Sequence, residues 1–338
     1  LKKKLFSILK LILSLGLGIG LVYWFVNQMT PEQKQETINA FKRANYLWLA
    51  LVPAIGFLSN YHRTQRWRQL LKATGHNPRF LNTFLSVMIM YFANLGVPRL
   101  GDVLRCGILT KYENVPLDKT LGTMVVERML DALFLLGLGG LLFLFEGKRM
   151  YNFFTENIIG KSEASAEPSL TSQIVPIAIL LSLIIFVVYI LRKHGFEKLK
   201  AIIQQKVKGL INGILSIKNV EKPFLLIFHS VAMWTCYLMM TYLSFRCIPE
   251  TASLSILAAL ACLFAGAFAV VATPGGIGIY PIFIRSVLLL YGVDEVYGGA
   301  YGTLSWATQT VGALVGGLLS LLFINILNNK KVAAPNHG

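Results

Sequence analysis

Apolar runs recur along the whole chain, near 5–27, 44–60, 123–145, 172–191, 223–245 and 302–327. About twenty helical residues cross a hydrocarbon core of about 30 Å. Water cannot satisfy backbone groups inside that core, so segments of this kind must satisfy their own as helix. Charged residues are 14% of the chain and hydrophobic ones 55%, against about 25% charged in soluble domains. The reading is an all-α polytopic membrane protein.

Two further apolar segments are broken. Residues 80–121 are interrupted by "GVPRLGD", and 254–291 by "ATPGGIGIYP". Interior proline removes a hydrogen bond and clashes with the preceding turn. Each segment therefore reads as a helical hairpin that enters the bilayer, turns and leaves on the same side. The fold class expected is six full spans plus two re-entrant hairpins.

Basic residues orient the chain. With the N-terminus cytoplasmic, Lys2 to Lys4, residues 61–79 with five Lys/Arg, 192–222 with eight, and Lys330 and Lys331 face inward. The loops 28–43, 146–171, 246–253 and 292–301 face outward with seven. That asymmetry is the positive-inside rule. It fixes the parity of the crossings and leaves open whether each broken segment re-enters or makes two short spans.

The layout then repeats upside down. A first membrane repeat occupies 1–146, an exterior linker 147–169, a second repeat 170–327 and a cytoplasmic tail 328–338. Inverted repeats with broken helices meeting near the midplane are a transporter architecture. Residues 195–218 alternate apolar and basic at helical spacing and read as an amphipathic helix on the inner leaflet or a basic connector. The N-terminal run is too long for a signal peptide and lacks its cleavage site, so it reads as an anchor. The net charge of +16 suits an anionic lipid surface better than nucleic acid. Cys106, Cys236, Cys247 and Cys262 show no metal-ligand spacing and read as packing residues, as does His229 in its span.

Ionisable groups at membrane depth are costly and usually functional. The first hairpin carries Arg99, Asp102 and Arg105, placed along one side by their spacing of three if the helix resumes after Pro98. The next span carries Glu127, Arg128 and Asp131. The second hairpin carries Gly275, Gly276 and Gly278, whose backbone could approach a ligand closely, and Arg285 beyond its turn. These four arginines against three carboxylates leave one positive charge. Forked guanidinium donors and a positive surplus point to a phosphate group. Each feature also has a structural reading: an ion pair between spans, a snorkelling Arg99, or glycines for tight packing.

"NLGVPRLGDVLR", then "VVERMLD", then "ATPGGIGIY" together resemble the flippase-like membrane domain of lysylphosphatidylglycerol synthases, over about 5–327. The resemblance implicates Asn94, Pro98, Arg99, Gly101, Asp102, Arg105, Glu127, Arg128, Asp131, Pro274, Gly275, Gly276 and Gly278. Two departures stand out: Asp102 replaces the family's usual glutamate, and Tyr280-Pro281 stands where a glutamate is common, leaving less for a cationic headgroup. The sequence given ends soon after the last span, without the family's aminoacyl-transfer domain, so synthesis of the lysyl lipid is not expected.

The resemblance implies a lipid flippase or scramblase in the bacterial cytoplasmic membrane. It would move an anionic or zwitterionic phosphate-containing lipid, of phospholipid or polyprenyl-phosphate type, with no cofactor and no metal. A membrane transferase using Asp102 or Glu127 as base, or a partner of a separate lipid-modifying enzyme, are the alternatives. Homo-oligomer formation through the small residues of the last span is open.

Overall fold

The computed structural model describes residues 29–157 and 220–329, together with Asn27. The anchor run 5–27, the linker 147–169 beyond residue 157, the run 172–191, the basic stretch 195–218 and the tail from 330 lie outside the described residues. Within them the elements are helices α1 (Pro31–Arg43), α2 (Tyr46–Lys72), α3 (Phe80–Gly96), α4 (Leu100–Glu113) and α5 (Leu117–Asn157). After the gap come α6 (Pro223–Ser244), α7 (Ile256–Ala272), α8 (Ile279–Leu290) and α9 (Glu295–Asn329). Single 3-10 turns join some of them, and no strand occurs among the described residues.

Three stretches, 117–149, 223–247 and 295–328, are long and apolar enough to cross a membrane. Their outer faces are greasy: Leu144 is 77% exposed and Phe224 81%. Such surface is stable only against lipid or other apolar groups. The chain is a multi-pass membrane protein.

Both broken segments are antiparallel hairpins. In the first, α3 and α4 lie side by side, with Val87 and Met90 packed on Cys106 and Leu109. At its open end the Arg79 backbone N–H donates to Glu113 Oε2 at 3.0 Å and the Arg79 guanidinium to Oε1 at 2.7 Å. In the second, Ala258, Ala259 and Cys262 of α7 pack on Ile284 and Leu288 of α8. The hairpin legs touch closely where Gly101 meets α3. A Cβ built on Gly101 would lie 2.0 Å from the Met90 carbonyl oxygen.

Helix α9 is the spine against which both hairpins lie, and they open toward its opposite ends. Near its C-terminal end, Asn328 exchanges amide hydrogen bonds with Asn82 of α3 at 3.0 and 3.1 Å. Near its N-terminal end, Glu295 pairs with Arg285 of α8 at 3.1 Å. The two tips meet between them. Gly275 sits at φ +58° against Leu95, so close that a built Cβ would lie 2.8 Å from a Leu95 methyl. Its carbonyl accepts from the Trp306 indole of α9 at 2.8 Å. Only a residue without Cβ combines that φ with that contact.

Some expectations are corrected. The run 44–60 is the first half of a longer helix, since α2 continues to Lys72. The first hairpin ends at Glu113, and residues 117–121 already belong to α5. Residues 31–43, taken as loop, form a helix opened by a reciprocal cap between Thr30 and Gln33. His229 is not alone: its Nδ1 lies 2.9 Å from Nδ1 of His62. The four cysteines are buried and free.

The close contact at Gly101 carries a testable consequence. Gly101→Ala forces a methyl into backbone that cannot retreat, and should cost about 3 kcal/mol, the upper end for overpacking. Gly107→Ala, on the same helix with nothing near its Cβ position, should be neutral or stabilise by up to about 1 kcal/mol. Thermal unfolding of the two variants in detergent measures the difference.

Candidate functional site

The C-terminal half of α2, the middle of α4 and the first turns of α5 bring seven ionisable side chains together. Arg63 and Arg66 are three residues apart on α2. Glu127 and Asp131 are four apart on α5, so each pair shares a helix face. Glu127 is the centre. Its Oε1 accepts from Arg63, from Arg66 at 3.1 Å and from Arg128 at 3.2 Å. Its Oε2 accepts from Arg105 at 2.7 Å. Asp131 accepts from Arg66 at 2.6 Å and from Arg63 at 3.2 Å, and lies 3.4 Å from Arg128 Nη2.

Burial is nearly complete. Arg66, Arg105 and Glu127 are each 0% exposed and Arg63 is 4%. Two aromatic groups hold the arginine planes. The Arg105 guanidinium lies over the Trp67 ring at 4.3 Å, and the Trp67 indole donates to Thr123 at 3.1 Å. Arg63 donates to the Tyr237 hydroxyl at 3.3 Å, which meets the Tyr91 hydroxyl at 2.8 Å. Helices α2, α3, α4, α5 and α6 thus all contribute. Among the described residues the cluster is most open at Arg128, whose side chain is 41% exposed. Beside it, Asp102 lies 3.5 Å from Arg105 Nη2 and 3.8 Å from Arg128 Nε, too far for hydrogen bonds.

Of the residues anticipated from sequence, Asp102, Arg105, Glu127, Arg128 and Asp131 meet here. Asn94 does not face the charges; its side-chain oxygen accepts from the Gly101 N–H at 2.8 Å and caps α4. Arg99 stands apart. Helix α4 begins only after it, and Arg99 occupies a left-handed turn at φ +64°. The spacing of three that aligned it with Asp102 therefore does not apply, and its side chain is exposed at the hairpin tip. Gly275, Gly276 and Gly278, all at positive φ, build the second tip. The Gly276 N–H donates to Thr273 within that turn and is not aimed at the cluster. Arg285 turns to Glu295 near the start of α9.

Arg63 and Arg66 are site residues that the charge pattern does not mark, because it places 61–79 among the inward-facing loops. A signal is present: no glycine or proline interrupts the sequence between Gly56 and Gly75. Ser59, Arg63, Arg66, Trp67 and Leu70 also fall at the helical period, and all are buried. The net charge of one positive survives with different members: Arg63, Arg66, Arg105 and Arg128 against Asp102, Glu127 and Asp131.

No group of three or more metal-ligating side chains occurs among the described residues. A cavity of about 130 Å³ lies elsewhere, between the far part of α5 and α7 and α8, lined by Leu142, Glu146, Arg149, Phe264 and Tyr291.

Residues 8–317 match the family described as lysylphosphatidylglycerol synthase TM region. A curated relative, the UPF0104 membrane protein MJ1595 of Methanocaldococcus jannaschii, is 30% identical over 134 residues. That alignment covers 38% of this chain and 35% of the relative. No solved structure matches the chain.

Removing one partner of a buried ion network costs about 3–5 kcal/mol, because the others stay buried unpaired. Glu127→Gln removes the charge facing four arginines and should lower stability by that amount. Glu250→Gln, at the exposed pair with Arg43, should change it by no more than about 1 kcal/mol. Heat unfolding of purified protein, followed by tryptophan fluorescence, distinguishes the two.

Proposed function

The chain belongs to the family of the lysylphosphatidylglycerol synthase TM region, and on that premise we propose that it moves phosphate-bearing lipids between membrane leaflets as a flippase or scramblase. The observation that carries this reading is the buried cluster of four arginines and three carboxylates, open at Arg128. A headgroup phosphate docks at Arg128 and is passed to Arg105, while the acyl or prenyl chains stay in lipid. Glu127 and Asp131 hold the guanidinium planes in place before the ligand arrives. They also weaken its grip, since a site of bare arginines would not release its cargo.

Helix lengths support re-entrant hairpins. At 1.5 Å per residue, α3, α4, α7 and α8 measure about 26, 21, 26 and 18 Å. All fall short of the roughly 30 Å core. Their tips meet beside the middle of α9, as expected for an inverted repeat whose halves dip in from opposite faces. With cytoplasmic termini in a bacterial inner membrane, the cluster lies in the inner half. Arg66 is six residues, or about 9 Å along the axis, from the end of α2 at Lys72. Rocking of one hairpin against the other would open the site to each side in turn.

A transferase reading is less well supported. The Glu127 oxygens already accept from guanidinium donors and have no free role as base. Asp102, whose Oδ1 has no hydrogen bond among the described residues, is the carboxylate of the cluster such a reaction could use. Formation of product from purified protein and a lipid-linked sugar would establish that activity instead.

Arg128→Gln is the direct test, because a half-exposed side chain can be replaced without emptying the core. Loss of its charged hydrogen bonds should slow translocation of an acyl-labelled phospholipid in proteoliposomes about tenfold or more. Arg43→Gln should keep the parental rate. A parental rate in Arg128→Gln would reject the proposed route.

A further inference from the structure

The cluster carries an excess of donors as well as of charge. Among the described residues, the buried nitrogens Arg63 Nε, Arg66 Nε and Nη1, Arg105 Nε and Nη2, and Arg128 Nε have no hydrogen-bond partner. On the acceptor side, Asp102 Oδ1 is the one buried carboxylate oxygen of the cluster in the same condition among the described residues. Six buried donor atoms therefore stand against one buried acceptor atom. The side chains that bear them are fixed: Arg66 and Arg105 are fully buried, and the Arg105 plane is held against Trp67. Arg66 and Arg105 cannot swing out to find water as surface arginines do.

From this imbalance we infer that the site takes a net-anionic phosphate headgroup without an ammonium group, and discriminates against zwitterionic phospholipids. The inference rests on the proposed lipid-handling role and narrows its substrate class. A phosphate ester brings acceptor oxygens and no N–H donors, and a single negative charge neutralises the surplus left by Arg63, Arg66, Arg105 and Arg128 over Asp102, Glu127 and Asp131. An ethanolamine headgroup brings the same phosphate together with three more donors and a positive charge. Its ammonium would find the Asp102 carboxylate to accept from it, since the Glu127 and Asp131 oxygens already accept from guanidinium groups. Asp102 Oδ1 already sits 3.5 Å from Arg105 and 3.8 Å from Arg128, so a cation there is repelled from both sides. The absence of an acidic residue in "GIGIYPIFIR", residues 276–285, leaves the second hairpin tip without a carboxylate to compensate.

The test uses the full-length protein in membranes of equal parts phosphatidylglycerol and phosphatidylethanolamine. Native mass spectrometry reads which lipid is retained, and acyl-labelled versions of both read translocation. The expected result is phosphatidylglycerol retained and moved at least tenfold over phosphatidylethanolamine. Arg128→Gln brings the cluster to zero net charge and should collapse the ratio toward one. Asp102→Asn brings it to two positive charges and should raise the ratio above the parental value. A third arm with undecaprenyl phosphate separates a phosphodiester from a polyprenyl monoester; retention of either above phosphatidylethanolamine supports the inference. Equal or preferential retention of phosphatidylethanolamine overturns it, as does a ratio indifferent to both substitutions. Retention with the expected preference but no movement of any lipid would sink the flippase reading and leave the headgroup preference standing.

Discussion

A charge buried in an apolar interior is tolerated only when other charges surround it, and here that condition centres on Glu127. It binds guanidinium groups from α2, α4 and its own helix. Neither Arg63 nor Arg66 could lie inside the protein without it. In turn the arginines tie together three helices whose apolar surfaces have little preference between lipid and one another. Helix association in a bilayer lacks the hydrophobic drive available in water. A network of forked ion pairs supplies the register that greasy contact alone leaves loose.

The second constraint is the tip-to-tip contact of the hairpins. Non-helical backbone inside a membrane must be covered by protein or line a wet cavity. The turn at Pro274–Gly276 meets this by facing Leu95 and by giving its Gly275 carbonyl to Trp306. The turn after Gly96 meets it differently: Asn94 reaches forward to cap the Gly101 N–H. Each bend is thus stabilised by its neighbour, by α9 or by a local cap. The charged cluster lies along α4, about five residues from the bend, and not at the tip. The tips are structural joints, and the charged groups sit apart from them.

Much of this was legible from residues alone. The interior prolines and glycines marked both bends, because a straight helix cannot accommodate them. Asp102, Arg105, Glu127, Arg128 and Asp131 were identifiable as costly charges in apolar surroundings. Arg99 and Arg285 looked equivalent to Arg105 by composition, and their exclusion was not legible. Arg99 is excluded by one residue of helix boundary. Arg285 is drawn off by a carboxylate ten positions along. Arg63 and Arg66 failed in the opposite sense: hydropathy counts an arginine as a cost wherever it sits, so it ended the span before them.

What the sequence determined is that the chain must live in a membrane as helices, that two of its segments must bend, and that carboxylates and guanidinium groups must be hidden near one another. Those follow from backbone satisfaction and from the energetic penalty of charge in hydrocarbon, which depend on residue type and order. What only the tertiary structure decided is which arginines neutralise Glu127 and Asp131. Arg63 and Arg66 sit more than sixty residues from those carboxylates, and α2 offers them only once it has packed against α5. The total of one positive charge was the same in both accounts, but the groups that hold it, and the face on which it opens, were set by packing.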